Sequence, residues 1–509
     1  MATGSDYEVV IAGAGPTGLC LAGELALAGV RCKVVERRTH RTEESRALGL
    51  HGRTMEVLRA RGMADTVLER ANPVKQVRVS LGNSLLNLRR LPSDYGQLTI
   101  IPQGETEAIL EERARDLGVT IERGVKLTGC RQEGEEVVYR LESEERRWEE
   151  RTPWLVGCDG AHSAVRHAMG AAFEGEMYPY TIIVADVKLG VPLDEQLLIH
   201  VGRAGLVVCT DFGNGWYRLG VIDRGKSWSD DPVTLQEVRE TLVRLFGKDL
   251  RPSEPLWTSR FRIQERQAET YRRGRMIIAG DAAHVHSPLG GQGLNLGIQD
   301  AVNLGWKLAA VASGRGSDRL IDTYQEERRR VSQGVIKVTD LATRMMTSDA
   351  LPARVARLVG VSTATRVPRG HRLAVGHLSG IATAYPTTAD SRSPKGTAGH
   401  RVPDLSFRTG PAQGDRLFEN MRAGTFVLVD QSGNQPSGLL DPWGDLVTEM
   451  RGRIGGVKGP WMDAEMILVR PDGYCAWAGG RERATVELPA AMRRWAGAPT
   501  VPATSPADG

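Results

Sequence analysis

The sequence predicts an α/β protein in three parts: a Rossmann-type nucleotide-binding domain, an antiparallel β-sheet interleaved with it, and a separate α/β domain at the C-terminal end. Three observations predict this. Apolar residues Val9–Ile11 run straight into the glycine turn Gly13-Ala14-Gly15-Pro16-Thr17-Gly18 and then a helical pattern over Leu19–Ala28. Residues 182–223 alternate apolar and polar character, with Gly-rich turns at 202–205 and 213–215, as antiparallel strands with one covered face do. Near 388–397 the pattern dissolves into a polar stretch containing Gly, Pro and Ser, and a fresh series of short apolar strands follows.

Length and composition bound what such a chain does. Its 509 residues exceed what one hydrophobic core organises, which allows two or three domains and a buried cofactor. The formal charge of +4 is dispersed, with no basic stripe, so no nucleic-acid partner is expected. The densest charge run, Glu142–Arg151, carries both signs and reads as a solvated edge or hairpin. Six cysteines (Cys20, Cys32, Cys130, Cys158, Cys209, Cys475) form neither a CxxC pair nor a metal-spaced cluster with histidine, so a reduced, metal-free protein is expected. No signal-peptide pattern precedes the first strand, and no apolar run reaches the length of a membrane span. The expectation is a cytoplasmic protein, monomer or homodimer, without a membrane partner.

The first turn is built for a pyrophosphate. Gly13 permits the tight turn, Gly15 lets backbone approach the phosphates, and Gly18 lets helix and strand pack closely, while the helix N-terminus offers free N–H groups and a positive dipole end. A second apolar strand, Cys32–Val35, ends in Glu36, 18 residues after Gly18, where a carboxylate accepts the hydroxyls of an unphosphorylated ribose. Glycine turns also serve plain packing, so context decides.

Two later segments supply it. Leu155-Val156-Gly157-Cys158-Asp159-Gly160 is a strand entering a turn, with Ser163 placed to cap the next helix; by itself this reads equally as ordinary turn chemistry. Met276–Ala279 then leads into Gly280-Asp281 and the loop Ser287-Pro288-Leu289-Gly290-Gly291-Gln292-Gly293-Leu294-Asn295, which opens an amphipathic helix over Leu296 to about Ala312. Asp281 suits a ribityl hydroxyl. Glycine backbone suits close approach to a flat ring, and the helix N-terminus suits the anion of a reduced flavin.

These three segments, in this order and spacing over residues 6–385, resemble the class A flavoprotein monooxygenases, the para-hydroxybenzoate hydroxylase-like superfamily. The resemblance implies non-covalent FAD held by Gly13, Gly15, Thr17, Gly18, Glu36, Arg37, Arg46, Gln103, Leu127, Asp159, Asp281, Gly291, Gly293, Leu294 and Asn295. It implies NADPH or NADH as a transient reductant without a Rossmann domain of its own, and the sequence holds only one strand–GxGxxG–helix unit. It also implies that reduced flavin and O₂ give a C4a-hydroperoxide that hydroxylates an aromatic small molecule; Baeyer–Villiger insertion by the same intermediate stays open. So does a silent flavoprotein that sequesters an intermediate or drug. A flavin halogenase or a geranylgeranyl-reductase-like enzyme would share the first glycine loop; the WxWxIP segment usual in the halogenases is absent.

The implied layout is an FAD-binding domain over residues 1–72, 98–177 and 273–385, with a β-sheet substrate domain over 73–97 and 178–272. Pocket candidates are Trp216, Tyr217, Arg218, Arg260, Phe261 and Pro288. No base stands out; His284 and Arg46 are the catalytic candidates, with His284 weighed as a hydrogen-bonded wall residue whose loss mainly alters turnover. Residues 386–399 form a linker. Residues 400–498, with strands at 425–429, 464–469 and 475–478, resemble the thioredoxin-like tail of the branch acting on polyketides and phenols; unlike an active thioredoxin they hold no CxxC, so Cys475 is expected inert. That tail points the substrate toward an aromatic polyketide or an antibiotic such as rifampicin. The stretch 499–509 is expected to be disordered.

Overall fold

The computed structural model describes residues 6–41, 47–226, 228–348, 350–387, 393–394, 396–409, 415–432, 437–456 and 459–499. Arg46, most of the linker's centre and the tail from 500 onward lie outside these residues.

Strand composition explains the first sheet. Val9–Ala12, Trp154–Gly157 and Met276–Ile278 are apolar and buried along their whole length, the signature of strands covered on both faces. They form neighbouring parallel strands of a six-stranded sheet, flanked by Cys32–Glu36 and Thr120–Arg123 on one side and by the short antiparallel Arg272–Arg273 on the other. Ala12 pairs with Gly157, and Gly157 with Ile278. Three chain segments more than a hundred residues apart therefore end side by side, at the carboxyl edge where open α/β sheets bind ligands.

The second sheet has eight strands, in the order His284–Val285, Pro252–Ala268, Phe173–Leu189, Trp216–Asp223, Gly205–Gly213, Leu197–Val201, Gln76–Val79 and Ser84–Asn87. It is antiparallel except where Leu198 and Ile199 pair in parallel with Arg78 and Val79. Its two longest strands, Phe173–Leu189 and Pro252–Ala268, each of 17 residues, pair antiparallel along most of their length. One face packs on the helix Leu235–Phe246 through Tyr217, Leu219, Val238 and Leu242. The other, with Ile182, Val184, Leu206 and Ile222, meets Leu289 of the glycine loop. The charged run Glu142–Arg151 forms a hairpin turn and most of the strand Arg147–Thr152, in which exposed and half-buried residues alternate up to the buried Thr152.

The C-terminal sheet runs in the order Val447–Arg451, Phe426–Asp430, Met466–Val469, Cys475–Gly479, the first pair parallel and the others antiparallel, followed by the helix Arg481–Ala496. Alternation along Phe426–Asp430 splits it between two cores. Phe426 and Leu428 join the nucleotide domain near Trp306, while Val427 and Val429 join a local core with Phe407 and Trp461. No helix among the described residues is long and apolar enough to cross a membrane.

Candidate functional site

At the carboxyl edge the glycines are fixed by contact. A Cβ on Gly13, whose φ is +105°, would lie 2.4 Å from the Cys158 carbonyl oxygen, and one on Gly18 would lie 2.0 Å from that of Gly13. Neither tolerates a side chain. A Cβ on Gly15 would meet nothing within 4 Å, so the space before it is open. The helix Pro16–Leu27 starts there without a side-chain cap, leaving its N–H groups directed at that space. Glu36 stands beside it, accepting the N–H of Ala14 (2.8 Å) and of Arg38 (2.9 Å). A carboxylate has about four acceptor positions, so the two that remain suit a ribose diol.

The second loop is tied to the third. Asp159 Oδ2 accepts the Ala164 N–H (2.7 Å) and Ser163 Oγ accepts that of Arg166 (3.0 Å), so both cap the short helix Ala164–Ala168. Asp159 Oδ1 is buried without a partner in the protein, and burial holds this carboxyl above its ordinary range. Arg166 donates to the carbonyls of Ala282 (3.0 Å) and Ala161 (2.7 Å), joining the Asp-Gly turn to the Gly-Asp turn. Thr17 is wedged between Gly280 and Gly297, where added Cβ atoms would lie 2.5 and 2.2 Å from its Oγ1. Its side chain is a packing piece that locks the first loop against the third.

The helix Gly293–Ala312 also begins without a side-chain cap or a first-turn acid, with Asp281 exposed beside Gly293 and Leu294 half-buried. Asn295 is buried and spent on backbone: its Oδ1 accepts the His51 N–H (2.8 Å) and its Nδ2 donates to the carbonyls of Gly49 and Gly291 (2.9 Å each). It is a clamp between segments, so a cofactor would meet its backbone. Gln103 likewise holds the neighbouring segment, its Oε1 accepting the Ala47 N–H (3.1 Å). Leu127 lies in the core and Arg37 on the surface just past Glu36.

His284 is not a wall residue. It is 1% exposed, with Nε2 2.7 Å from Asp300 Oδ2; the other oxygen of Asp300 accepts from Arg328 Nε (2.6 Å). Burial pushes the Asp300 carboxyl up, but Arg328 and His284 outweigh it and hold it below its usual range. The imidazoles that border the glycine loop are His51, 2.8 Å from the Gly290 carbonyl, and His286, whose Nε2 has no partner in the protein. Burial pushes each down to about 4, so both are neutral at pH 7.

Strand alternation sorts the roof candidates. Arg218 faces the nucleotide domain in a buried pair with Asp186 (2.6 and 2.7 Å), its NH1 3.3 Å from the Ala47 carbonyl and its guanidinium 5.8 Å from the Trp257 ring. Phe261 packs with Trp257 on the same face, and Trp216 lies beneath Lys188. Tyr217 is one residue out of phase and points into the opposite core; Arg260 pairs with Glu237 of the covering helix (2.8 Å). Both therefore leave the pocket set. Pro288 is exposed on the glycine loop.

Sequence reading missed Asp186, Arg166, Asp300 and Arg328. Asp300 had a signal: with Asn303 and Lys307 it recurs at i, i+3, i+7 on a mostly apolar, buried helix, a polar stripe that must find buried partners. Among the described residues no group of His, Cys, Asp or Glu side chains could hold a metal.

Three glycine-containing loops on adjacent parallel strand ends, beside an antiparallel sheet, form a candidate dinucleotide-binding site. The family model for the FAD binding domain matches residues 6–339, and that for the aromatic-ring hydroxylase C-terminal region matches 395–499. The chain belongs to the FAD-dependent aromatic-ring hydroxylases and is an FAD-dependent monooxygenase. It is 36% identical over 502 residues to the rifampicin monooxygenase of Streptomyces venezuelae, covering 97% of this chain and 99% of the other. It is 34% identical over 496 residues to the dialkyldecalin synthase of Streptomyces rugosporus, covering 96% and 98%. The solved structure of OxyS, the anhydrotetracycline hydroxylase of Streptomyces rimosus, superposes with a TM-score of 0.86 at 34% identity, covering 97% of this chain and 99% of that one.

Proposed function

We propose that the protein hydroxylates an aromatic, polyketide-like small molecule with one atom of O₂, drawing electrons from NADPH or NADH through FAD. The observation that carries this is the convergence of the three loops, with open space before Gly15, beneath a roof that presents a buried cation.

The residues present fit FAD. The N–H groups following Gly15 would hold the pyrophosphate, Glu36 the adenosine ribose, Asp281 the ribityl chain, and the N-terminus at Gly293–Leu294 the ring system. Bound flavin supplies two-electron reduction by the nicotinamide and activation of O₂. The protein contributes position and dryness. Arg218, held by Asp186, is aimed to orient an ionised phenol or a ketone oxygen of the substrate. Ile182, Val184, Leu206 and Ile222 exclude water from the same face. No step requires an imidazolium, which suits neutral His51 and His286. The C-terminal strand order supports a thioredoxin-like domain, and the absence of CxxC with a buried Cys475 supports a structural role for it.

The test is NAD(P)H oxidation by the FAD-loaded protein with a panel of phenolic polyketides. The expected result is substrate-accelerated oxidation and a product carrying one atom from ¹⁸O₂. The similarity to dialkyldecalin synthase favours a second reading, a flavoprotein that shapes a substrate without oxygenating it. A substrate that binds and rearranges with neither NAD(P)H consumption nor ¹⁸O gain would establish that reading instead. A labelled product with oxygen inserted beside a carbonyl would replace hydroxylation by Baeyer–Villiger chemistry.

A further inference from the structure

The helices Leu351–Arg366 and Pro368–Leu378 pack against each other, the first also lying on the edge strand Ser84–Asn87. Their outer surface is apolar. Leu351 is 70% exposed, Val355 54%, Val359 58% and Leu373 63%, with Leu358 and Val367 also exposed. Leu351, Val355, Leu358 and Val359 recur at i, i+4, i+7 and i+8, the spacing of one helix face. Single exposed leucines mean little, but a stripe continued onto a neighbouring helix marks an interaction surface.

The same segment is wholly basic. Residues 350–387 contain no Asp or Glu and five arginines. Arg357 is buried and donates to the carbonyls of Met345 (2.7 Å) and Ser348 (2.9 Å), whereas Arg354, Arg366, Arg369 and Arg372 are exposed.

We propose that this helical pair docks on an anionic lipid surface. Charge complementarity selects that occupant. A second copy meeting this face about a two-fold axis would set arginines against arginines, with no acidic residue in the segment to offset them. A folded protein partner is usually gripped by a few anchors in a pocket. Here aliphatic side chains stand out from helix surfaces between arginines, as in helices lying in the bilayer interface with guanidinium groups at the phosphates. This departs from the sequence expectation of no membrane partner, which rested on the lack of a spanning segment. The second helix ends against the glycine loop: the Leu378 carbonyl accepts from Gln292 Nε2 (2.6 Å), and that of Ser379 from the Arg53 N–H (3.0 Å). Docking would bring the candidate site to the lipid, where an apolar aromatic substrate concentrates. That consequence rests on the proposed function; the docking itself does not.

The experiment is co-sedimentation of the full FAD-loaded chain with phosphatidylcholine vesicles, alone or with about 30 mol % phosphatidylglycerol. The expected result is at least roughly tenfold tighter binding to the anionic vesicles, lost by about 0.5 M NaCl. The double variant Val355→Glu/Val359→Glu should lower that binding about tenfold or more while flavin absorbance and basal NADPH oxidation stay unchanged. Equal binding to neutral and anionic vesicles, or none, overturns the proposal. So does a dimer in solution that the double variant splits, which gives the face to a second copy. No oxygenated product is read, so failure here leaves the oxygenase reading untouched.

Discussion

His284 and Asn295 show how far residue type and residue role separate. Both sit in the third segment that sequence reading singled out, yet His284 is enclosed with Asp300 and Arg328, and Asn295 is spent on the backbones of His51, Gly49 and Gly291. His284→Ala should therefore act on stability. It removes one hydrogen bond from a buried carboxylate, a cost of about 1–3 kcal/mol, and the check is a lower denaturation midpoint with FAD content per folded molecule retained. Asp281 is exposed beside the helix N-terminus, and Asp281→Ala should weaken FAD retention on gel filtration. His51 and His286 give a pH signature. Their folded-state pKa of about 4 lies below the ordinary 6.5, so the unfolded chain binds their protons first as pH falls. Their stabilisation is complete above pH 6.5 and is lost between about 6.5 and 4, at up to about 2.7 kcal/mol per pH unit for the pair. Chemical denaturation across that window checks it: His51→Asn should flatten the slope, and an unchanged slope would rule out a neutral buried His51.

The three strand–loop–helix units are the elements sequence made legible, because each combines an apolar run, a glycine turn and a helical period within about 25 residues. What it could not supply was the pairing: Val9–Ala12, Trp154–Gly157 and Met276–Ile278 become neighbours only through non-local sheet order, which no local pattern encodes. The family resemblance bridged that gap for the fold. It did not bridge it for Asp186, whose partner Arg218 lies 32 residues away on the neighbouring strand of the sheet, nor for the phase that turned Tyr217 and Arg260 toward the covering helix. Contact between the loops themselves is testable. Gly297→Ala places a methyl 2.2 Å from Thr17 Oγ1 and should cost about 1–3 kcal/mol with weakened FAD retention. Thr17→Ala in the same chain removes the obstructing hydroxyl and should recover most of the loss, a coupling that denaturation of the two single variants and the double variant measures directly.

At the scale of the molecule, the C-terminal domain is joined to the nucleotide domain by buried charge. Arg470 donates to Glu327 (2.6 and 2.8 Å) and Glu327 also takes Lys307 Nζ (2.7 Å), while Asp472 accepts from Asn303 (3.0 Å) and Arg470. Arg61 and Arg53 reach the carbonyls of Pro471 and Asp472. The turn Arg470–Tyr474 thus packs on the middle of the helix Gly293–Ala312, whose N-terminus lies at the candidate site. Burial alone would raise the Glu327 carboxyl, but Arg470 and Lys307 outweigh it and hold it at about 2, below the ordinary 4.5. A depressed carboxylate stabilises fully above its unfolded pKa, so this contribution is intact at neutral pH and is lost as pH falls from about 4.5 toward 2. Glu327→Gln leaves Arg470 and Lys307 buried with one counter-charge fewer, which should cost about 3–5 kcal/mol at pH 7. The penalty should shrink below pH 4, where the unfolded wild-type chain takes up a proton on this carboxyl while the folded chain, held at about 2, does not. Denaturation at pH 7 and pH 3.5 decides the matter: an equal penalty at both would mean that hydrogen-bond geometry, and not charge, joins the domains.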